Sequence, residues 1–301
     1  VEGKVTPEEL TLEALKRAKE NQDNAFETIM EEQALADARA LKEVEVDNPF
    51  WGIPVVVKDN FSTKDVLTTA SSEILKDYVP VFDATVVKKL KEAHAIIIAK
   101  STLDELAMGG TGTTGHLGTT YNPYDPKHER IIGGSSCGSA VSVAAGIVPF
   151  ALGSDTGDSV RKPASYAGLV GFKPTWGRIS RFGLFPFAPS LDHVGMFTRS
   201  VEDAALSLQL LAGRDVQDST SSTKKVENYC ALLHESIAGK KIAVIDEIIS
   251  SIRDEEIVKA FDHTLKELEK KGAIIQHVSV SSRLLESILP TYMVISCAEA
   301  T

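Results

Sequence analysis

The run GGSSCGSAVSVAAG, residues 133–146, narrows the possible folds more than any other stretch of this sequence. Its first half has the glycine and serine content of a linker. Its second half is apolar and small-sided, and VPFAL follows closely, with the length and content of a buried strand. A packed core therefore comes directly after the loop, which excludes a disordered linker. The stretch reads as a tight loop opening a small-residue helix that lies against a sheet. Backbone N–H groups ahead of a helix can hold an anion. Here no lysine follows at P-loop spacing and no GxGxxG occurs, so phosphate binding has no motif behind it.

Around this run, apolar segments alternate with amphipathic ones. GIPVVVKD (52–59) reads as a strand leaving the core, with Lys58 at its end. DATVVKKLKEAHAIIIAK (83–100) reads as a helix capped by Asp83 and then the strand Ala95–Ala99. GLVGFKPT (168–175), KKIAVI (240–245) and AIIQHVSV (273–280) read as further strands. Residues 6 to 42 read as helical, with Thr6 as cap and Pro7 in the first turn. A helix from Ser200, with Asp203 as capping-box partner, stops at Gly213, and another over 254–272 ends at a glycine. Residues 109–138 form a long irregular segment of the kind that often carries function, GSDTGDSVRKP (153–163) another loop, and 214–238 a polar surface excursion. Strands alternating with helices predict an α/β fold: a large mixed, mostly parallel sheet flanked by helices.

Charge and cysteine usage exclude several function classes. The 301-residue chain carries a net charge of −10, which disfavours RNA as its main ligand. Cys137, Cys230 and Cys297 are widely spaced without a CxxC, as in a reducing compartment. No HxxxH or HExxH pair supports a metal site, and no apolar run approaches the roughly 20 residues of a membrane span. VEGKVTPEEL has no signal-peptide pattern, so the expected location is cytoplasmic. The missing initiator Met, and an end at VISCAEAT inside a helical pattern, predict a chain cut at both ends.

Chemistry points to a serine. GSDTGDS (153–159) places Ser159 24 residues after Ser135, with one helix and one strand between. The two loops can then return to the same edge of the sheet and bring the serines close. Lys58, after an apolar run, is expected to be partly buried, which lowers a lysine's pKa and frees a neutral amine as base. No histidine sits in or beside these segments, so a nucleophilic serine here takes a lysine as its base, a recognised variant.

Together GIPVVVKDN, GGSSCGSAVSVAAG, GSDTGDSVRKPASYAGLVGFKPT and RFGLFPFAPSLDHVGMFTRS resemble the amidase signature family, in the family's order, over about residues 51–200. GRISRFGLFPFAPSLDHVG and DELAMGG (104–110) are similar to one branch of it, the A subunits of glutamyl-tRNA(Gln) amidotransferases, and LPTYMVISCAEA (289–300) continues that similarity. The resemblance implies one amidase signature domain over 1–301: an N-terminal helical segment 1–45, a catalytic core 46–213, and a remainder 214–301 cut before the family's C-terminal part. It implies a Ser–cis-Ser–Lys triad, with Ser159 as nucleophile, Ser135 as the bridging serine after a cis peptide, and Lys58 as base. Backbone N–H groups of Thr156, Gly157, Asp158 and Ser159 would form the oxyanion hole, and Tyr292 and Gly109 match substrate-contact positions.

The implied substrate is glutamine, hydrolysed through a γ-glutamyl ester. The ammonia would pass to a partner B subunit that handles ATP, Mg²⁺ and most of the tRNA, with a small C subunit bracing the pair. This chain itself would need no cofactor. The family's charged glutamine-recognition residues fall beyond Thr301. Cys137 and Asp158 stand where the family has glycine. A side chain there costs about 1–2 kcal/mol if φ is positive, and an inward Asp158 carboxylate would oppose the oxyanion. Cys137 reads as a small buried hydrophobe, Asp155 and Arg161 as braces of the nucleophile loop, and His116 and His128 carry no assigned role. Two rival readings are a stand-alone amidase of the same family and an inactive docking fragment.

Overall fold

The structure, a computed structural model, describes residues 4–300; the expected domain's outermost residues, 1–3 and 301, lie outside it. The chain divides into two compact units, one running to Cys230 and the other from Ala231 to Glu299.

The first unit contains, in order, α1 (Pro7–Glu20), β1 (Phe26–Ile29), α2 (Glu31–Ala40), β2 (Pro54–Lys58), α3 (Thr85–Glu92), β3 (Ile96–Ser101), α4 (Cys137–Ala144), β4 (Phe150–Asp155), α5 (Arg161–Tyr166), β5 (Val170–Phe172), β6 (His193–Thr198) and α6 (Val201–Leu211). A short α7 (Tyr229–Leu232) spans the boundary. The second unit holds β7 (Lys241–Ile245), α8 (Asp246–Ser250), α9 (Glu255–Lys270), β8 (Ile274–Val278) and α10 (Ser282–Glu299). There β7 and β8 pair in parallel, and Asp254 caps α9 by accepting from the N–H groups of Glu256 and Ile257.

Six strands of the first unit form one sheet in the order β1-β3-β2-β4-β6-β5. It is mixed, as expected. The centre β3-β2-β4 is parallel, whereas β1 runs antiparallel to β3, and β6 antiparallel to both β4 and β5. Alternate residues enter separate cores on its two faces. Val56, Ile98 and Phe197 pack with α1, α2 and α4, while Val55, Val57, Leu152 and Met196 pack with α3 and α6. A strand buried on both faces reads as a continuous apolar run, which is why PVVV is legible as one.

A bulge in β3 decides the direction of two lysines. Val55 pairs with Ile97 but Val56 pairs with Ala99, so Ile98 is an inserted residue. Beyond it Lys58 is opposite Ser101, and Val57 opposite Lys100. Paired residues share a face, so the two lysines leave the sheet on opposite sides.

Two local expectations are corrected. Residues 6–42 are not one helix. The capping box predicted at Thr6 forms, with Thr6 and Glu9 exchanging hydrogen bonds. The helix then stops at Glu20, an Asx turn at Asn21–Asp23 and a left-handed Asn24 reverse the chain, and β1 follows. Asp83 does not cap α3. The cap is Ala84, one residue later, and the Asp83 carboxylate accepts instead from Lys64 N–H and Lys91 Nζ. β6, where glycine interrupts the apolar residues, is an interior strand of the sheet. Ser200 caps α6 by accepting from Asp203 N–H at 3.0 Å. Among the described residues no helix is long and apolar enough to cross a membrane.

Candidate active site

The C-terminal end of β2 delivers Lys58 into the core between the Ser135 loop and Ser154 of β4. Its side chain is fully buried. Nζ donates to Ser135 Oγ at 2.8 Å and to Ser154 Oγ at 2.9 Å, and Asn60 Nδ2 donates to the same Ser154 hydroxyl at 3.0 Å. Both partners of the amine are hydroxyls, and neither carries a charge. Burial therefore pushes the Lys58 amine down from 10.5 to about 7, and the more distant Cys137, Asp104, Asp155 and Asp192 pull the other way. At 2.8 Å a deprotonated amine can equally accept from the Ser135 hydroxyl.

Ser135 follows the one non-proline cis peptide of the described residues, Gly134–Ser135. Asp104, just beyond β3, organises the surroundings. Its N–H donates to Ser135 O at 3.1 Å, and its buried carboxylate accepts from the N–H groups of Thr111, Gly112, Thr113 and Thr114. A Cβ at Gly134 would lie 2.0 Å from Asp104 Oδ2, so this position requires glycine. Gly109 also packs on Asp104. That makes it part of the wall beside the serine.

The second loop leaves β4 after Asp155. Ser136 N–H donates to Ser159 O at 3.2 Å, which seats the Ser159 loop against the Ser135 loop. Asp155 is buried and accepts from Val160 N–H, Arg161 N–H and the Arg161 guanidinium. Burial works to raise its carboxyl, but these hydrogen bonds outweigh burial and hold it below the ordinary range. Asp155 and Arg161 are thus braces, in line with the sequence reading. The N–H groups of Thr156, Gly157, Asp158 and Ser159 find no acceptor among the described residues, which leaves a row of donors beside the serine. Thr156 is held by its own hydroxyl, which donates to Asp192 Oδ1 at 2.6 Å.

Neither departure from glycine strains the chain. Cys137 and Asp158 are both outside the left-handed region. Cys137 is buried at the start of α4, and burial pushes its thiol up to about 11. The Asp158 carboxylate pairs with Lys162 Nζ at 2.8 Å.

Tyr292 lies on α10 of the second unit. His128 stacks on Tyr121, and His116 pairs with Glu27 at 2.9 Å. No group of three or more metal-ligating side chains occurs among the described residues.

Several participants escape sequence reasoning. Ser154 and Asn60 lie inside GSDTGDS and GIPVVVKDN, so those motifs are a signal for them. Asp104 and Asp192 act through backbone N–H groups of surrounding loops, which no local pattern announces. Asp192 accepts from Phe187 N–H and Ala188 N–H, tying the FAPSLD turn to Thr156.

Comparison with known proteins identifies the family. The amidase family profile matches residues 9–301. The A subunit of the glutamyl-tRNA(Gln) amidotransferase of Streptococcus pneumoniae is 42% identical over 100% of this chain and 62% of its own length. The crystal structure of the corresponding A subunit from Thermotoga maritima, also a glutamyl-tRNA(Gln) amidotransferase, superposes with a TM-score of 0.86 at 43% identity, covering 98% of this chain and 62% of that one. The peptide amidase of Stenotrophomonas maltophilia superposes with a TM-score of 0.84 at 32% identity, covering 92% and 59%. The chain thus spans somewhat under two thirds of the length of these relatives.

Proposed function

The chain belongs to the amidase family, and from that premise we propose that it is the glutamine-hydrolysing part of a tRNA-dependent amidotransferase. Lys58, about half of it neutral at pH 7, takes a proton from Ser135 while Ser135 takes one from Ser159. Ser159 Oγ attacks the side-chain carboxamide of glutamine. A C–O bond forms, and the carbonyl π pair moves onto oxygen, facing the N–H groups of Thr156, Gly157, Asp158 and Ser159. Collapse of this adduct breaks the C–N bond, and the nitrogen leaves as ammonia with the proton returned through Ser135. Water then attacks the γ-glutamyl ester by the same relay, releasing glutamate and free Ser159. Ammonia passes to a B subunit that uses ATP and Mg²⁺ and holds the tRNA, with a small C subunit bracing the pair. Gly109 is assigned to substrate contact.

One observation carries this reading: a fully buried lysine whose closest partners are hydroxyls, 2.8 Å from the serine after the cis peptide. Its test is labelling with a serine-reactive fluorophosphonate. Ser159 should be modified in the folded chain, and Lys58→Met should abolish the modification. An unmodified Ser159 in folded wild-type protein would favour a docking role without catalysis. A stand-alone amidase is the second reading, because the peptide amidase superposes nearly as well as the Thermotoga maritima protein does. Ammonia release from glutamine, measured against a panel of simple primary amides, separates the two.

A further inference from the structure

Asp158 presents a problem that the catalytic reading leaves open. Its N–H is one of the donors assigned to the oxyanion, and its carboxylate carries the same sign as the charge that develops there. Roughly half of that side chain is exposed, so burial alone does not fix its direction. A carboxylate turned toward the hole would raise the barrier, since electrostatic terms in such a site act at short range and low effective dielectric.

Lys162 pairs with it. Its Nζ is 2.8 Å from Asp158 Oδ2, and the pair spans one turn, with Lys162 N–H also donating to Asp158 O at 2.8 Å. The same ammonium reaches the neighbouring loop, 3.4 Å from Gly110 O, and a Cβ on Gly110 would lie 2.7 Å from it. That loop is the one gathered by Asp104, whose N–H holds Ser135 O. Arg161 is not available for the task, because its guanidinium is committed to Asp155 and to Gly157 O.

We propose that Lys162 is a positioning residue: it latches the Asp158 side chain outward against the Gly110 loop, so that the oxyanion donors face the substrate without an opposing charge. The inference rests on the amidase reading of Ser159. It concerns the transition state, so it bears on kcat rather than KM.

A double-mutant cycle on the full chain, read as ammonia release from glutamine, tests it. Lys162→Met frees the Asp158 carboxylate and should lower kcat about tenfold or more with KM little changed. Asp158→Asn removes the charge, and in that background Lys162→Met should cost less than about twofold. Lys162→Arg, which keeps the cation, should stay close to wild type. Lys162→Gln, which keeps a donor for Gly110 O, is the second variant should the methionine variant not fold, and must give the same dependence on Asp158. Equal losses in the two backgrounds, or a loss confined to KM, overturn the latch alone. If wild-type Ser159 resists the fluorophosphonate and no ammonia is released, the amidase reading falls and the latch with it.

Discussion

Two fully buried lysines lie at the C-terminal ends of adjacent parallel strands of the sheet, and they have different partners. Lys100, at the end of β3, lies 3.0 Å from Asp59 Oδ1 and donates to Phe61 O and Thr68 Oγ1. Lys58, at the end of β2, donates to Ser135 and Ser154. Burial lowers both amines, Lys58 to about 7; at Lys100 the Asp59 carboxylate opposes burial by charge and direct contact without overcoming it. What differs is the partner: Lys100 has a carboxylate within contact distance, whereas the hydrogen-bond acceptors of Lys58 are uncharged hydroxyls. The bulge at Ile98 makes the division possible, since an unbroken register would put Lys100 opposite Lys58 on the same face.

Substitution at each lysine breaks the comparison from either side. Lys58→Met should reduce ammonia release by about a thousandfold, the scale of a lost general base. It should also change how stability depends on pH. Above about pH 7 the unfolded chain keeps a proton that folded Lys58 has lost, so stability rises with pH from about 7 toward 10.5. The slope is at most about 1.4 kcal/mol per pH unit, and the methionine variant should lack that contribution when denaturant unfolding is followed across the same range. Lys100→Met should act the other way round. It strands a buried carboxylate and should cost about 3–5 kcal/mol of stability, with activity per folded molecule little changed, and adding Asp59→Asn should recover much of the loss. Ser154→Ala sharpens the comparison. It removes an acceptor of the Lys58 ammonium, so the pH midpoint of activity should move lower and the plateau rate fall about tenfold. The smallest effect applies the same rule to an acid. With its thiol pushed up to about 11, buried Cys137 should resist iodoacetamide in the folded protein while exposed Cys297 reacts, as peptide mapping would reveal.

Much of this is legible in the sequence, for specific reasons. PVVVK announces a buried strand with a lysine at its end, and the Gly/Ser run announces a loop packed beneath a helix. What separates Lys58 from Lys100 is not legible from the strands. IIIAK carries the same local signal as PVVVK, an apolar run closed by a lysine. Their difference comes from residues remote in the chain, Ser135 and Ser154 for one and the folded-back Asp59 and Thr68 for the other, and from one inserted residue that no periodicity reveals. β1 is hidden inside a helical pattern because its four residues gain their strand identity from pairing with β3.

The protonation state of Lys58 is the direct test of the comparison. Carbon-13 NMR of lysine side chains labelled at Cε, assigned with Lys58→Met and followed across pH, should give Lys58 a midpoint of about 7. A Lys58 Cε signal that stays that of an ammonium up to about pH 10, near the ordinary lysine value, in protein that remains folded, would contradict it.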